Sequence, residues 1–500
     1  MLLSEYLESQ QTIRRLAKDT VAVKKGLRGP HITYTSLFEQ AKKLSLMFPR
    51  NSIISSSLAN SIENIVVFLA VTMVATIAPL NPDYTEAELG FYLKQSPGGL
   101  IVSKGSNEAA IRAGRKIGLS IFTVDIDHEG VVGMTVERGS EKPAAVPRGT
   151  ALILYTSGTT GQPKLVPLSH SNMIASIENI VETYDLNEND TTYAIMPLFH
   201  VHGLMASVFA TLGSGGRIVV PSTGKFSPSV FWQELNGNQC TWFTAVPTMH
   251  QILLEVNMPG DRHSLRFIRS CSSALAPAVL EKMEKKYGVD VVEAYAMTEA
   301  CHQMTSNPIK GKMRRRPGTV GVSHGGVSMR ILDTSGREVG RGCRGEICVK
   351  GTNVMRGYMN NELANKEGFV GEFFRTGDEG VMDKDGFITI TGRIKELINR
   401  GGEKISPLEI DAVLLSHPAV SEAVSFGISD SKYGEVVGAV VIPRKGTVVT
   451  ESELLRFVAG KLASFKVPVK LFISDQLPRT ATGKIQRRLV AKHFLENSRL

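Results

Sequence analysis

Residues 151–164, ALILYTSGTTGQPK, join four apolar residues to a loop rich in glycine and hydroxyl side chains. The apolar run predicts a buried strand, and the loop after it can bring backbone N–H groups close to phosphate oxygens. Lys164 adds a positive charge at the end of the loop. A Walker A motif is excluded, because its spacing G-x-x-x-x-G-K-[ST] is absent and Leu165 follows the lysine. The stretch therefore predicts a phosphate-binding loop of another type.

Short apolar runs of the same kind occur on both sides of this loop and alternate with helical patterns. They are NSIISSS, GLIVSK, DTTYAIMP, GRIVVPS and LRFIRSC. This alternation predicts an α/β fold with doubly wound sheets. GEICVKG, DGFITITG and REVGRG alternate with glycine-rich turns and predict a small antiparallel, β-barrel-like unit at 325–392. After Gly392, amphipathic helices and two strand patterns predict a small α+β domain. The predicted division is therefore 1–392, a boundary at 393–396, and 397–500.

The composition is that of an average globular protein, with 42% hydrophobic and 21% charged residues. These values exclude a disordered chain, a collagen-like repeat and a coiled-coil rod. Five cysteines without a C-x-x-C pair predict free thiols rather than a disulfide scaffold or a zinc site. The apolar run Ile65–Leu80 is shorter than the roughly 20 residues that cross a bilayer, so it predicts a core helix.

The net charge is +9 and the pI is about 9.2. From Arg393 to Leu500 there are 17 lysine and arginine residues against 11 aspartate and glutamate residues. Such a surface favours an anionic partner: nucleic acid, a membrane or a phosphorylated small molecule. Lys312 with Arg314–Arg316 forms a second basic run, which is read either as a solvated loop or as a phosphate contact.

Six motifs occur in order along the chain. They are SGTTGQPK at 157–164, PLFH at 197–200, EAYAMTE at 293–299, RTGD at 375–378, GRIKE at 392–396 and PRTATGK at 478–484. Through them the chain resembles the adenylate-forming superfamily, which includes acyl-CoA synthetases, firefly-type luciferases and nonribosomal-peptide adenylation domains. Ala296 stands where that family usually has glycine.

The resemblance implies an enzyme that uses ATP to convert a carboxylic acid into an acyl-adenylate. The charge on the departing pyrophosphate must be stabilised by cations and oriented donors. Glu299 suits Mg²⁺, which needs only one or two carboxylates beside phosphates. The predicted catalytic residues are Lys484, Thr298, Glu299 and His200. The residues predicted to bind ATP are Thr156, Ser157, Gly158, Thr159, Thr160, Gly161, Gln162, Pro163, Lys164, Glu293, Ala294, Tyr295, Thr298, Asp378, Arg393 and Lys484.

The roles of the C-terminal domain also follow from the resemblance. Lys484 is expected to stabilise the transition state of adenylation. The domain, expected to be mobile, then rotates about a hinge at Lys395, and CoA takes the acyl group. The predicted wall of the CoA channel is Arg400, Gly401, Gly402 and Lys404, where paired glycines allow the close approach of a thin chain.

The acid is predicted from two histidines that are unusual for the superfamily, His202 and His302. The second carboxylate of a small diacid needs a cation or several donors, because an unpaired buried charge is very costly. The predicted acid-binding residues are His202, Arg269, Ser272, Ser273 and His302. FHVHGLMASVF, EAYAMTEACHQMTSNP and TATGKIQRR are similar to the oxalate–CoA ligase group of plants and fungi, which implies oxalyl-CoA, AMP and pyrophosphate as products. Malonate, aryl acids and fatty acids remain alternative substrates.

Two interpretations from other classes remain. One is an adenylation domain that loads a carrier protein, although no carrier-like segment follows Lys484. The other is a non-catalytic nucleotide- or RNA-binding module, although Lys484, Glu299 and Asp378 are all present. Ser498-Arg499-Leu500 is a variant of the S-K-L peroxisomal address, so a peroxisomal import receptor is an expected partner and the cytoplasm is the alternative location. Neither a membrane span nor nucleic acid binding is expected.

Overall fold

The computed structural model describes residues 1–140, 142, 144–156, 163–258, 260, 263–309, 314–479 and 485–496. Two large sheets, a smaller antiparallel sheet and a C-terminal sheet make up these residues. In this part of the chain, no helix is long and apolar enough to cross a membrane. All five cysteines are free thiols, as the sequence predicts.

The first sheet has seven strands, which are parallel except for an antiparallel strand at each edge. At one edge, Thr156 lies opposite Lys164, so the two ends of the glycine-rich loop are held side by side. In spatial order the strands are Val132–Glu137, Ile121–Ile126, Gly99–Ser103, Ile53–Ser57, Thr76–Pro79, Thr150–Thr156 and Lys164–Ser169.

The second sheet has nine strands, of which the six central ones are parallel. Its central strands carry apolar side chains on both faces, as expected for a sheet covered by helices. In spatial order the strands are Val322–Ser323, His302–Ser306, Asp290–Met297, Phe267–Ser270, Trp242–Ala245, Thr191–Tyr193, Arg217–Val220, Val21–Lys25 and His31–Thr33.

Helices pack on both large sheets and form their common core. Helix Ile62–Thr72 is buried along its whole length, because its sequence is apolar on every side. The core helix predicted at 65–80 is therefore correct for its first half and wrong for its second, since Thr76–Pro79 is a strand. The α-helices are Leu3–Ile13, Tyr34–Ser45, Ile62–Thr72, Glu86–Leu93, Glu108–Lys116, His170–Tyr184, Ala210–Gly213, Pro228–Gly237, Pro247–Glu255, Pro277–Tyr287, Glu362–Gly368, Pro407–Leu415, Glu451–Ala459 and Arg487–Glu496.

One helical segment departs from α geometry. His202–Phe209 is a π-helix that continues directly into helix Ala210–Gly213. All eight of its residues are buried. A π-helix is rare and often marks a functional site, because its wider turn changes the direction in which a side chain points.

The third sheet is antiparallel and occupies the predicted small β unit. In spatial order its strands are Ser328–Leu332, Arg344–Lys350, Phe373–Met382 and Phe369–Val370, with Ile388–Arg393 also paired to Phe373–Met382. A strand predicted at 337–342 is wrong: only an isolated bridge between Leu332 and Glu338 forms there. The left-handed backbone of Gly342 (φ +83°) favours a turn instead.

The C-terminal sheet follows a short 3₁₀ turn at Ile394–Glu396. Its spatial order is Glu403–Ile405, Ile398–Arg400, Gly434–Pro443 and Val420–Asp430, with Lys470–Ile473 parallel to Gly434–Pro443. Helices Pro407–Leu415 and Glu451–Ala459 cover one face of this sheet. The predicted division at 393–396 falls at this turn and stays a prediction as a domain boundary.

Two polar contacts join this C-terminal region to helix Pro247–Glu255 of the large sheets. Arg444 pairs with Glu255 at 2.6 Å, and the side-chain amide of Gln251 donates to the carbonyl of Ser421 at 3.1 Å. The ion pair is partly exposed on its Glu255 side and the amide hydrogen bond is half-buried, so each stabilises the arrangement only modestly.

Candidate active site

Three of the residues predicted to bind ATP, Tyr295, Asp378 and Arg393, form one connected group. Asp378 and Arg393 lie directly opposite each other on paired strands of the third sheet. The Arg393 guanidinium donates to the Asp378 carboxylate at 2.8 Å, and the Tyr295 hydroxyl donates to the same carboxylate at 2.5 Å. Burial, with the adjacent carboxylate, holds the pKa of Tyr295 far above its usual value, so the hydroxyl stays protonated as a donor. The strand register pairs Asp378 with Arg393, and the Tyr295 hydrogen bond completes a group of three residues from three sequence motifs.

The candidate magnesium ligand is oriented by a residue that the sequence interpretation missed. The Tyr358 hydroxyl donates to one carboxylate oxygen of Glu299 at 2.7 Å. The Lys164 ammonium lies 4.6 Å from the centre of the Tyr358 ring. Tyr358 therefore links the base of the glycine-rich loop to Glu299. Burial and the Glu299 charge raise the pKa of Tyr358, which keeps the hydroxyl in its donating form.

Thr298 and Glu299 begin a single 3₁₀ turn immediately after strand Asp290–Met297. The backbone carbonyl of Glu299 accepts a hydrogen bond from Met355 N at 2.7 Å, which fixes the turn against the third sheet. No group of three or more His, Cys, Asp or Glu side chains that could hold a metal occurs among the residues with described positions. A single carboxylate suits Mg²⁺ that arrives with ATP, since the phosphates supply other ligands.

Glu293 and Ala294 lie earlier on the same strand. The Glu293 carboxylate is buried and accepts a hydrogen bond from Gly318 N at 2.9 Å. Burial raises the pKa of Glu293 to about 7. Ala294 is buried opposite Ser306 in the neighbouring strand. Their predicted contact with ATP stays a prediction.

The two unusual histidines are brought together. His202 and His302 stack with ring centres 5.0 Å apart. His202 Nδ1 lies 3.0 Å from Ser272 Oγ, and His202 Nε2 lies 2.6 Å from Thr244 Oγ1. Imidazole nitrogens and hydroxyl groups together form the polar wall that a second carboxylate requires. We call His202, Ser272 and His302 the acid pocket.

The backbone of the acid pocket is strained at three places. Ser272, Cys301 and His302 have φ angles of +74°, +46° and +93°. Left-handed backbone costs a residue with a Cβ about 1–2 kcal/mol, and such residues cluster at functional sites. His302 begins strand His302–Ser306 and Ser272 lies just after strand Phe267–Ser270, so two of these left-handed residues place their side chains beside His202.

The remaining predicted acid-binding residues lie elsewhere. Ser273 is exposed, and its hydroxyl donates to the carbonyl of Ser272, so its side chain is outside the acid pocket. Arg269 was expected to contact the acid, but it is fully buried and faces His202 Nε2 from behind at 3.4 Å. His200 packs against Phe199 and lines a small cavity with Tyr155.

The predicted CoA-binding residues form a tight hairpin at the start of the C-terminal sheet. Arg400 pairs with Glu403 across the turn residues Gly401 and Gly402. Both glycines have positive φ, +61° and +95°, which a two-residue hairpin of this type requires. The Arg400 guanidinium stacks on the Tyr433 ring at 4.1 Å. Lys404 is exposed on the following strand.

Several predicted residues lie outside the described part of the chain. They are Ser157, Gly158, Thr159, Thr160, Gly161, Gln162, Lys484, Ser498, Arg499, Leu500 and Lys312. Their roles, including the peroxisomal address, stay predictions. Lys395 is exposed within the 3₁₀ turn. Arg315 pairs with Glu284 and Asp290, and Arg316 pairs with Asp383 and Asp385. Because these carboxylates already pair with both arginines, the arrangement does not favour a phosphate contact for that basic run.

Known protein families and solved structures show what the chain is similar to. A family model described as AMP-binding enzyme matches residues 10–359, and one described as AMP-binding enzyme C-terminal domain matches 409–484. The chain belongs to the AMP-binding enzyme family. It is 46% identical over 467 residues to an oxalate–CoA ligase of Arabidopsis thaliana, covering 89% of this chain and 88% of that protein. It is 43% identical over 525 residues to an oxalate–CoA ligase of Saccharomyces cerevisiae, covering 96% of each.

Among solved structures, ATP-bound MatB from Rhodopseudomonas palustris is similar over 99% of each chain, with 29% identity and a TM-score of 0.85. The apo form of the same protein gives a TM-score of 0.76 over the same coverage. The fold of this family member therefore resembles the ATP-bound arrangement of MatB more closely than the apo arrangement.

Proposed function

We propose that this protein is an AMP-forming acid–thiol ligase that joins oxalate to CoA. The observation that carries the proposal is the acid pocket, in which the stacked His202 and His302 rings lie beside the Ser272 hydroxyl. Two relatives that are 43% and 46% identical over most of their lengths are oxalate–CoA ligases, which supports the same acid.

The first step forms a mixed anhydride. A carboxylate oxygen of oxalate attacks the α-phosphorus of ATP, the bond to the β-phosphate oxygen breaks, and pyrophosphate leaves. Asp378 accepts from the ribose hydroxyls while Arg393 and Tyr295 hold its carboxylate in place. Lys164 and Lys484 balance the charge that develops on the phosphates. Glu299, oriented by the Tyr358 hydroxyl, would hold the Mg²⁺ that accompanies ATP, and that ion would supply positive charge to the phosphates.

The second step transfers the oxalyl group. The CoA thiol gives its proton to solvent, its sulfur attacks the oxalyl carbonyl carbon, and AMP leaves with the electron pair of the broken C–O bond. The hairpin at Gly401 and Gly402 leaves room for the pantetheine chain, because neither residue carries a Cβ. The resemblance to ATP-bound MatB supports an arrangement suited to the first step, from which the C-terminal domain rotates for the second.

The test is CoA- and ATP-dependent AMP formation by the purified protein with oxalate, malonate, succinate, acetate, octanoate and 4-coumarate. We expect oxalate to give the highest kcat/KM, and His202→Ala to lower that value more than the value for acetate. Preference for malonate would keep the ligase chemistry and reassign the acid. Preference for a monoacid would refute the role of the acid pocket, and no turnover with any acid would favour a non-catalytic nucleotide-binding role.

We also propose that the C-terminal tripeptide Ser498-Arg499-Leu500 directs the protein to peroxisomes. A fluorescent protein fused to the N-terminus should be punctate with Ser498–Leu500 present and diffuse after their deletion. Identical diffuse signals would favour the cytoplasm.

A further inference from the structure

A charged side chain is buried directly behind the acid pocket. Arg269 lies in the central strand Phe267–Ser270 of the second sheet and has no exposed surface. Its guanidinium donates to the Tyr184 hydroxyl at 2.7 Å, the Thr244 hydroxyl at 3.1 Å and the Gln303 side-chain oxygen at 3.2 Å. The Cys271 side chain is a further partner of the guanidinium, and none of these four partners is a carboxylate. Among the residues whose positions are described, no carboxylate forms an ion pair with Arg269.

This arrangement is energetically unusual. Buried charges are normally paired with an opposite charge, because removing an ion from water costs several kcal/mol. Neutral acceptors satisfy the N–H groups of Arg269 but leave its positive charge uncompensated. The compensating anion is therefore expected to arrive with a ligand, and the acid pocket is the polar space that adjoins this charge through His202.

Given the proposed function, on which this inference rests, we propose that Arg269 is a positioning residue that selects acids with a second carboxylate. It acts through Thr244 and His202. Thr244 Oγ1 accepts a hydrogen bond from Arg269 Nη1, so its own proton is available for His202 Nε2 at 2.6 Å.

The same contacts fix the tautomer of His202. Its Nε2 accepts from Thr244 and faces an Arg269 nitrogen, which can only donate, at 3.4 Å. The proton therefore sits on Nδ1, which faces Ser272 Oγ at 3.0 Å. Each donor in the series Arg269, Thr244 and His202 points towards the acid pocket, and hydrogen bonds aligned in this way polarise one another. The buried charge thus strengthens the donors that meet the second carboxylate.

A purely structural role would use the same hydrogen bonds to hold strands of the second sheet together. The two roles differ in their dependence on ligand charge. Oxamate is the matched probe, because it replaces one carboxylate of oxalate by an amide of nearly the same size. Only the proposed role predicts that losing the Arg269 charge weakens the binding of oxalate but not the binding of oxamate.

The experiment compares Arg269→Gln, Arg269→Lys, Thr244→Val and Thr244→Ser with wild type in the full-length enzyme. KM and kcat are measured for oxalate, oxamate and ATP, and thermal unfolding is measured for each variant. A unit charge about 7–8 Å from the carboxylate, at an effective dielectric of about 20, corresponds to roughly 30- to 50-fold in affinity. Arg269→Gln should raise the KM for oxalate by this factor and leave the KM values for oxamate and ATP near wild type.

Thr244→Val keeps the Arg269 charge but removes the hydroxyl that connects it to His202, so it should also raise the KM for oxalate. Thr244→Ser keeps a hydroxyl and should leave that KM near the wild-type value. This pair tests the proposal even if Arg269→Gln fails to fold. If these variants raise the KM for oxalate and oxamate equally, or also raise the KM for ATP, the proposed role of Arg269 is wrong. The proposed function would still hold in that case, provided that the wild type turns over oxalate. A wild type that prefers a monoacid would overturn both.

Discussion

Glu293→Gln separates a structural role of this carboxylate from the predicted role in ATP binding. In the folded protein, burial raises the pKa of Glu293 from 4.5 to about 7, while Gly318 N donates to its carboxylate. The fold therefore favours the protonated form. The contribution of Glu293 to the free energy of unfolding therefore falls as the pH rises from about 4.5 to about 7. Above that range this contribution does not change further. A glutamine cannot ionise, and its side-chain oxygen can still accept from Gly318 N.

The size of the effect follows from the shift. About 2.5 pKa units at 1.36 kcal/mol each amount to roughly 3 kcal/mol of stability that wild type loses above pH 7. In a domain of this size each kcal/mol changes Tm by about 2 °C or less. We therefore expect Glu293→Gln to raise Tm by a few degrees at pH 8.5 and to leave it almost unchanged at pH 4.5.

The assay is thermal unfolding of wild type and variant across this pH range, together with the KM for ATP. Glu338→Gln is the matched control, because Glu338 is half-exposed and its ion pair is with the exposed Arg330. It should unfold like wild type at every pH. A variant whose Tm difference does not grow with pH would refute the buried-carboxylate argument, and a large rise in the KM for ATP would show that the Glu293 side chain contacts the nucleotide.

Three further predictions concern the catalytic cycle. Asp378→Asn should raise the KM for ATP by roughly 10- to 100-fold, since a hydrogen bond to a charged group contributes about 1.5–3 kcal/mol, and an unchanged KM in ATP–pyrophosphate exchange would contradict ribose binding. Gly402→Ala should slow CoA-dependent release of AMP but not pyrophosphate exchange, because a Cβ at φ +95° strains the hairpin although nothing lies within 4 Å of it. Lys484→Ala should abolish adenylation yet spare thioester formation from supplied oxalyl-AMP, and equal loss of both half-reactions would count against this assignment.

The sequence predicted the fold class well, because it depends on local patterns, whereas ribose binding stays a prediction. Short apolar runs mark parallel strands, and the motifs that contain Tyr295, Asp378 and Arg393 lie on strands that the fold brings together. The sequence did not reveal Tyr358 or Thr244. Neither belongs to a recognised motif, and each acquires its role only from the side chain that packs against it in three dimensions.

Arg269 shows the same limit in a different way. The sequence identified it as a cation for the acid, but strand alternation alone does not tell which face of a central strand meets the ligand, since both faces are buried. In the structure Arg269 is fully buried and its guanidinium faces His202 Nε2, and its contact with the acid stays a prediction.

The π-helix that begins at His202 suggests how the acid preference of such enzymes can change during evolution. A π-turn contains one residue more than the α-turn it replaces. Deleting a single residue within 203–209 would therefore restore α geometry and turn His202 relative to helix Ala210–Gly213, without altering any side chain of the acid pocket. Deleting one codon, rather than making a set of point substitutions, is then enough to change the direction of the His202 side chain. Alignments that treat such a gap as noise would overlook the change in specificity.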